Sequence, residues 1–211
     1  MLKALGEAHA EVAETFAEAS EALGFDLAAL VREGPKDALD RTENTQPALL
    51  AAGIAVWRVW RAECAAAPRA LAGHSLGEYT ALAASGVLDF YDAVRLVAER
   101  GEAMQAAADE HDGTMAAIIG LDDDAVEAAV VGVDDCWVAN YNTPGQVVIA
   151  GGPAGVEAGG IACKEAGAKR VMALTVGGAF HTPHMGPAQE RLDKALAQTD
   201  FRAPDHPVYA N

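Results

Sequence analysis

The 211-residue chain is 51% hydrophobic, 6% aromatic and 22% charged, and its 15 Lys and Arg against 31 Asp and Glu give a net charge of −16. So large an apolar fraction excludes a disordered chain, and its frequent interruption by charge excludes a membrane-spanning bundle. The acidic excess excludes general nucleic-acid binding, which needs Lys and Arg to displace phosphate counterions. The length accommodates one sizeable core, or one core and a small satellite.

In chain order, residues 2–23 carry Leu2, Leu5, Val12, Phe16, Ala19 and Leu23 at helical spacing, which predicts one N-terminal helix. Gly34-Pro35 marks a loop that leads into a polar stretch ending near Thr45. Pro47 to Val56 holds no charge, and the run continues through Trp57, Val59 and Trp60. This predicts a helix with Pro47 in its first turn and apolar residues on every side, hence the most buried helix of the chain. Ala70–Ala72 reads as the end of a short strand, followed by helices over 77–86 and 90–108.

From Thr114 the pattern changes. Strands are expected at 115–119, 136–139, 146–150 and 170–174, with helices at 122–131 and 153–166. That βαββαβ order is the split-βαβ, ferredoxin-like unit. Gly159-Gly160 weakens its second helix by about 1 kcal/mol per glycine relative to alanine. A last helix over 188–198 and a strand beginning at Val208–Tyr209 follow. The expected fold class is α/β, with a larger subdomain from 1–110 and 180–211 and an inserted subdomain at 111–179. Cys64, Cys136 and Cys163 form no C-x-x-C, and the Glu-rich N-terminus carries no apolar signal segment. A cytoplasmic location and thiols acting as small buried hydrophobes are therefore expected.

The chemistry concentrates at Gly73-His74-Ser75-Leu76-Gly77, a G-x-S-x-G between a strand and a helix. In that context a strained turn lifts the serine hydroxyl toward solvent, flanking glycines avoid a Cβ clash, and the Leu76 amide can face a developing oxyanion. A serine nucleophile needs a base. Of six histidines, His9 and His111 read as solvated. His181 follows Gly177-Gly178-Ala179-Phe180 at the end of the last inserted strand, where it is either a base or an ordinary loop residue. His181 and His184 lack the spacing and glutamate of a zinc-protease pair, so no metal site is expected. On the helical wheel Arg100 falls with Ala93, Leu96 and Met104 at the edge of the apolar side. There it either snorkels, meets a buried carboxylate or the helix dipole, or clamps a substrate carboxylate.

Gly73-His74-Ser75-Leu76-Gly77-Glu78-Tyr79, Arg100-Gly101 with Met104-Gln105, Asn142-Thr143-Pro144-Gly145-Gln146, Thr45-Gln46-Pro47-Ala48 and Phe180-His181 together resemble the malonyl-CoA:acyl carrier protein transacylases of type II fatty acid synthesis. The likeness runs over nearly the whole chain. It implies the acyltransferase fold, with an α/β-hydrolase-like larger subdomain and the ferredoxin-like insertion. It also implies ping-pong transfer of malonyl from coenzyme A to the phosphopantetheine thiol of acyl carrier protein, with no permanently bound cofactor, no nucleic acid and no membrane. Ser75 would be the nucleophile and His181 its base, and Arg100 would hold the malonyl carboxylate. Gln46, His74, Leu76 and Asn142 would line the site. Phe180 would leave no room for an extra methyl on the acyl group.

The resemblance also implies departures. The family's first strand and its oxyanion glutamine would precede Met1, and further strands would follow Asn211. A chain truncated in this way would be weakly active or unstable alone, an expectation that normal malonyl transfer with a cooperative high-temperature melt would overturn. Lys164, Lys169 and Arg170 form either a docking patch for an anionic ligand or a solvated helix end. The competing readings are an α/β-hydrolase esterase or thioesterase, for which no triad carboxylate stands out, and a non-catalytic fragment that binds carrier protein.

Overall fold

The structure, a computed structural model, describes residues 2–210. The chain opens on five helices: α1 (Lys3–Ala8), α2 (Ala10–Leu23), α3 (Leu27–Glu33), α4 (Lys36–Asp40) and α5 (Thr42–Glu63). The single helix expected over 2–23 is broken at His9, whose backbone is extended. Only α2 buries a face, through Val12, Thr15, Phe16 and Ala19, while α1 buries nothing and so is not bound to the same axis. The polar stretch before Thr45 forms α3 and α4. Both are too short to show a periodic face, although Asp26 caps α3 by accepting the Ala29 N–H at 2.8 Å.

The buried helix begins earlier than its apolar run. Pro47 lies inside α5 rather than in its first turn, so the Glu43 carbonyl has no i+4 amide to accept from. Nor is α5 covered on every side. Ala48, Leu50, Ala51 and Ala55 are fully buried, but Leu49 and Val56 are 46% and 44% exposed. The buried side packs with α2 in a core completed by Leu27, Val94 and Val97.

The remaining elements are β1 (Leu71–Ala72), α6 (Leu76–Ala84), α7 (Phe90–Glu110), β2 (Thr114–Ile119), α8 (Asp123–Val130), β3 (Cys136–Thr143), β4 (Gln146–Gly151), α9 (Pro153–Glu165), β5 (Arg170–Ala173), a 3₁₀ turn (Pro183–Met185), α10 (Gly186–Leu196) and β6 (Val208–Tyr209). They fall into two compact units. One is built from the chain up to Glu102 with the segment from Leu192 onward, and the other is Ala103–Arg191. In the first unit β1 pairs with β6 in parallel, Leu71 opposite Val208 and Ala72 opposite Tyr209.

The second unit contains the whole βαββαβ segment. Its four strands lie in the order β3-β4-β2-β5 with every neighbouring pair antiparallel, which is the ferredoxin-like arrangement. Alternation along β2 and β4 sorts the two faces. Ala116, Ile118, Val147 and Ile149 face Val126 and Val130 of α8 and Val156 and Cys163 of α9, whereas Met115, Ala117, Val148 and Ala150 face Ala179 and Phe180. The unit extends beyond 111–179 because Ala103 and Ala107 of α7 cluster with Met185 and Ala188. Gly159, a liability by propensity, allows α9 to approach the sheet: a Cβ there would lie 2.6 Å from the Cys136 Sγ. The fold is α/β, and among the described residues no helix is long and apolar enough to cross a membrane.

Candidate active site

Ser75 sits between β1 and α6 as the N-cap of the helix, with φ 52° and ψ −113°. Such a backbone is costly for any residue with a Cβ. The sharp turn follows from Gly73, where a Cβ would lie 1.9 Å from the carbonyl carbon and oxygen of Gly77. The two glycines differ here from the sequence expectation. A Cβ on Gly77 would meet nothing within 4 Å, so only Gly73 is required by close approach. Gly73→Ala should therefore cost about 3 kcal/mol and lower the melting temperature by about 6–12 °C. Gly77→Ala should instead be neutral or stabilise by up to about 1 kcal/mol, because alanine is the better helix residue. Thermal melts of the two variants check both signs.

The start of α6 also presents a free donor. The Gly77 amide donates to the His74 carbonyl at 2.8 Å and the Glu78 amide to the Ser75 carbonyl at 3.1 Å. The Leu76 amide, between them, meets no acceptor among the described residues, as first-turn amides do. It is thus free for an oxyanion formed at Ser75.

Arg100, on α7, is 9% exposed and converges on the same point. Its Nη2 donates to the Ser75 Oγ at 3.0 Å, and its Nη1 donates to the Oε1 of Gln46, itself only 6% exposed. The buried carboxylate considered from sequence is not what it meets: the guanidinium is held by an amide oxygen, a hydroxyl and the ring of Tyr79, 5.6 Å from its carbon. Burial pushes the Arg100 pKa down, opposed by Tyr79 and Glu78, and pushes the Tyr79 phenol up, opposed by Arg100. The guanidinium stays charged at neutral pH. Tyr79 entered the sequence reading only as the end of the elbow motif and was given no role, although it lies one helical turn beyond Ser75 and so on the same side of α6.

The other expected residues are placed as follows. His74 is exposed beside Ser75. In the second unit Asn142 is exposed near the end of edge strand β3, and Phe180 is half-buried against the sheet. His181 is exposed with a left-handed φ of 61°. Lys164, Lys169 and Arg170 are exposed, and Lys164 Nζ donates to the Lys169 carbonyl at 2.7 Å. Cys64 is partly exposed, and Cys136 and Cys163 are buried; all three are free thiols. Burial pushes the Cys136 thiol up to about 11, so it stays protonated at neutral pH. No group of three or more His, Cys, Asp or Glu among the described residues is placed to hold a metal ion.

The chain as a whole has clear counterparts among known proteins. The acyl transferase domain family matches residues 2–211. The malonyl CoA-acyl carrier protein transacylase of Escherichia coli K12 is 50% identical over 214 aligned residues, covering all of this chain and 69% of that protein. The crystal structure of an acyl carrier protein S-malonyltransferase from Vibrio cholerae superposes with a TM-score of 0.95 at 50% identity, over all of this chain and 70% of that one. A type II PKS acyl-carrier protein in complex with its malonyl-transacylase gives a TM-score of 0.96 at 48% identity, over all of this chain and 69% of that one. With half its residues shared with such enzymes along its entire length, the chain belongs to the acyl transferase domain family, among the malonyl CoA-acyl carrier protein transacylases.

Proposed function

We propose that the chain transfers a malonyl group from coenzyme A to the phosphopantetheine thiol of an acyl carrier protein, through an ester on Ser75. The observation that carries this reading is the Arg100 Nη2 3.0 Å from the Ser75 Oγ. A buried, permanently charged fork beside a nucleophile suits an acyl group that ends in a carboxylate. In the first half-reaction the Ser75 Oγ attacks the thioester carbonyl, and its proton passes to His181. The Leu76 amide donates to the tetrahedral oxyanion. Collapse breaks the C–S bond, coenzyme A leaves with the proton from His181, and malonyl remains on Ser75. In the second half-reaction the carrier thiol gives its proton to His181 and attacks the ester carbonyl, the C–O bond to Ser75 breaks, and His181 returns the proton to the Ser75 Oγ.

His181 as base, Gln46, His74 and Asn142 as lining residues, and Phe180 as the bulk that excludes a methyl branch are assigned on the family resemblance. The chemistry runs on side chains, with malonyl-CoA as substrate rather than cofactor. We place it in the cytoplasm, a reducing setting that suits the three free thiols. Product analysis tests the reading: incubation with malonyl-CoA and holo carrier protein should yield malonyl-carrier. Free malonate with no malonyl-carrier would make the protein a hydrolase, and carrier binding without acylation would make it a binding module.

A further inference from the structure

The turn that carries His181 is pinned by a contact that packing alone does not explain. Thr182, 9% exposed, donates to the Ala179 carbonyl at 2.6 Å and accepts the His184 N–H at 3.3 Å. His184 then reaches away from the turn, and its Nε2 lies 2.8 Å from the Oδ1 of Asp135. The rings of Trp137 and His111 lie against it, with centroids at 5.5 and 5.4 Å. Its Nδ1 is buried with no hydrogen-bond partner among the described residues. A leucine would fill the same space and orphan no polar atom, so burial does not select histidine at this position.

Asp135 is equally unfavourable by local criteria. It adopts a left-handed φ of 52°, which glycine accepts at no steric cost. Three glycines make room for it. A Cβ on Gly151 or Gly155 would lie 1.9 or 2.1 Å from the Asp135 carbonyl oxygen, and one on Gly152 would lie 2.0 Å from its Oδ2. The Gly152 amide donates to the same carbonyl at 3.1 Å. An aspartate where glycine would be freer and a histidine with an orphaned nitrogen share one hydrogen bond.

We propose that Asp135 and His184 are positioning residues, which fix the 3₁₀ turn over Pro183–Met185 and thereby the left-handed backbone of His181. The inference rests on the reading of His181 as the general base. It calls for four single variants of the full chain, Asp135→Gly, Asp135→Asn, His184→Leu and His181→Ala, and for the double variant Asp135→Gly/His184→Leu. Asp135→Gly removes the carboxylate and relieves the backbone, so its melting temperature should be unchanged or higher. Its kcat should nevertheless fall by about 10- to 100-fold with KM for malonyl-CoA within about twofold, the signature of a misplaced catalytic group.

Asp135→Asn retains a carbonyl acceptor and tolerates the left-handed backbone, and should keep kcat within about threefold of wild type. His184→Leu should match Asp135→Gly, and the double variant should be no slower than either single one, because both delete the same bond. The proposal is overturned if Asp135→Gly keeps wild-type kcat, if its activity and melting temperature fall together, or if asparagine fails to rescue. His181→Ala separates the levels. Wild-type turnover there would remove the base assignment itself, whereas its loss beside unaffected Asp135→Gly and His184→Leu would remove only the positioning role.

Discussion

Replacing Ser75 with alanine is expected to abolish the covalent intermediate and to slow malonyl transfer by roughly 10⁴- to 10⁶-fold. Ser75 combines a left-handed backbone, a neighbouring free amide and an arginine donor at 3.0 Å. No other hydroxyl among the described residues is given this setting. Intact-mass measurement after brief exposure to malonyl-CoA should show one malonyl adduct in the wild type and none in Ser75→Ala. An adduct that persists would move the nucleophile elsewhere.

Stability provides an independent check on the same residue. Alanine keeps the Cβ and so the strain, and should melt within a few degrees of wild type. Ser75→Gly relieves a conformation worth about 1–3 kcal/mol. It should be as inactive as Ser75→Ala yet melt about 2–12 °C higher. Inactivity combined with a raised melting temperature would show that the strained turn is maintained for chemistry rather than for folding.

What could be read from the sequence was whatever a few adjacent residues determine. The elbow needs only Gly73, Ser75 and a helix start, and the βαββαβ order needs only alternation and length, so both were legible. The helical wheel placed Arg100 at the margin of the apolar side because its neighbours at 93, 96 and 104 are part of α7 itself. Its partners were hidden, because Gln46 is 54 residues away and only folding brings the amide and the guanidinium together. The same holds for His184 and Asp135, which are separated by β3, β4, α9 and β5. Pro47 misled for a different reason: the apolar run marks where α5 is buried, whereas the helix itself begins in the polar residues Thr42–Gln46.

The free energies around Arg100 lead to the second large effect. Its guanidinium is buried, and burial alone opposes its charge. Gln46 and Ser75 supply neutral acceptors, and the ring of Tyr79 supplies a weak cation–π contact. None of these neutralises the charge, which a malonyl carboxylate would do through two parallel N–H···O bonds. An acetyl group would bury the same guanidinium with only the Coulombic pull of Glu78 and no carboxylate bonded to it, and a buried charge without a bonded counter-ion costs several kcal/mol. Discrimination thus follows from the arginine and not from the shape of the acyl chain.

Arg100→Ala should therefore lower malonyl transfer by about 10- to 100-fold, from the loss of charge-assisted hydrogen bonds worth about 1.5–3 kcal/mol. Acetyl transfer should be retained or rise, since a neutral acyl group no longer desolvates a cation. The ratio of kcat/KM for malonyl-CoA to that for acetyl-CoA should fall by about 10-fold or more. Arg100→Lys retains the charge but loses the fork, and should fall between the two. An unchanged ratio in Arg100→Ala would refute the clamp and leave Arg100 as a structural partner of Gln46. A ratio that collapses while Ser75 still forms its adduct would separate the choice of cargo from the chemistry of transfer.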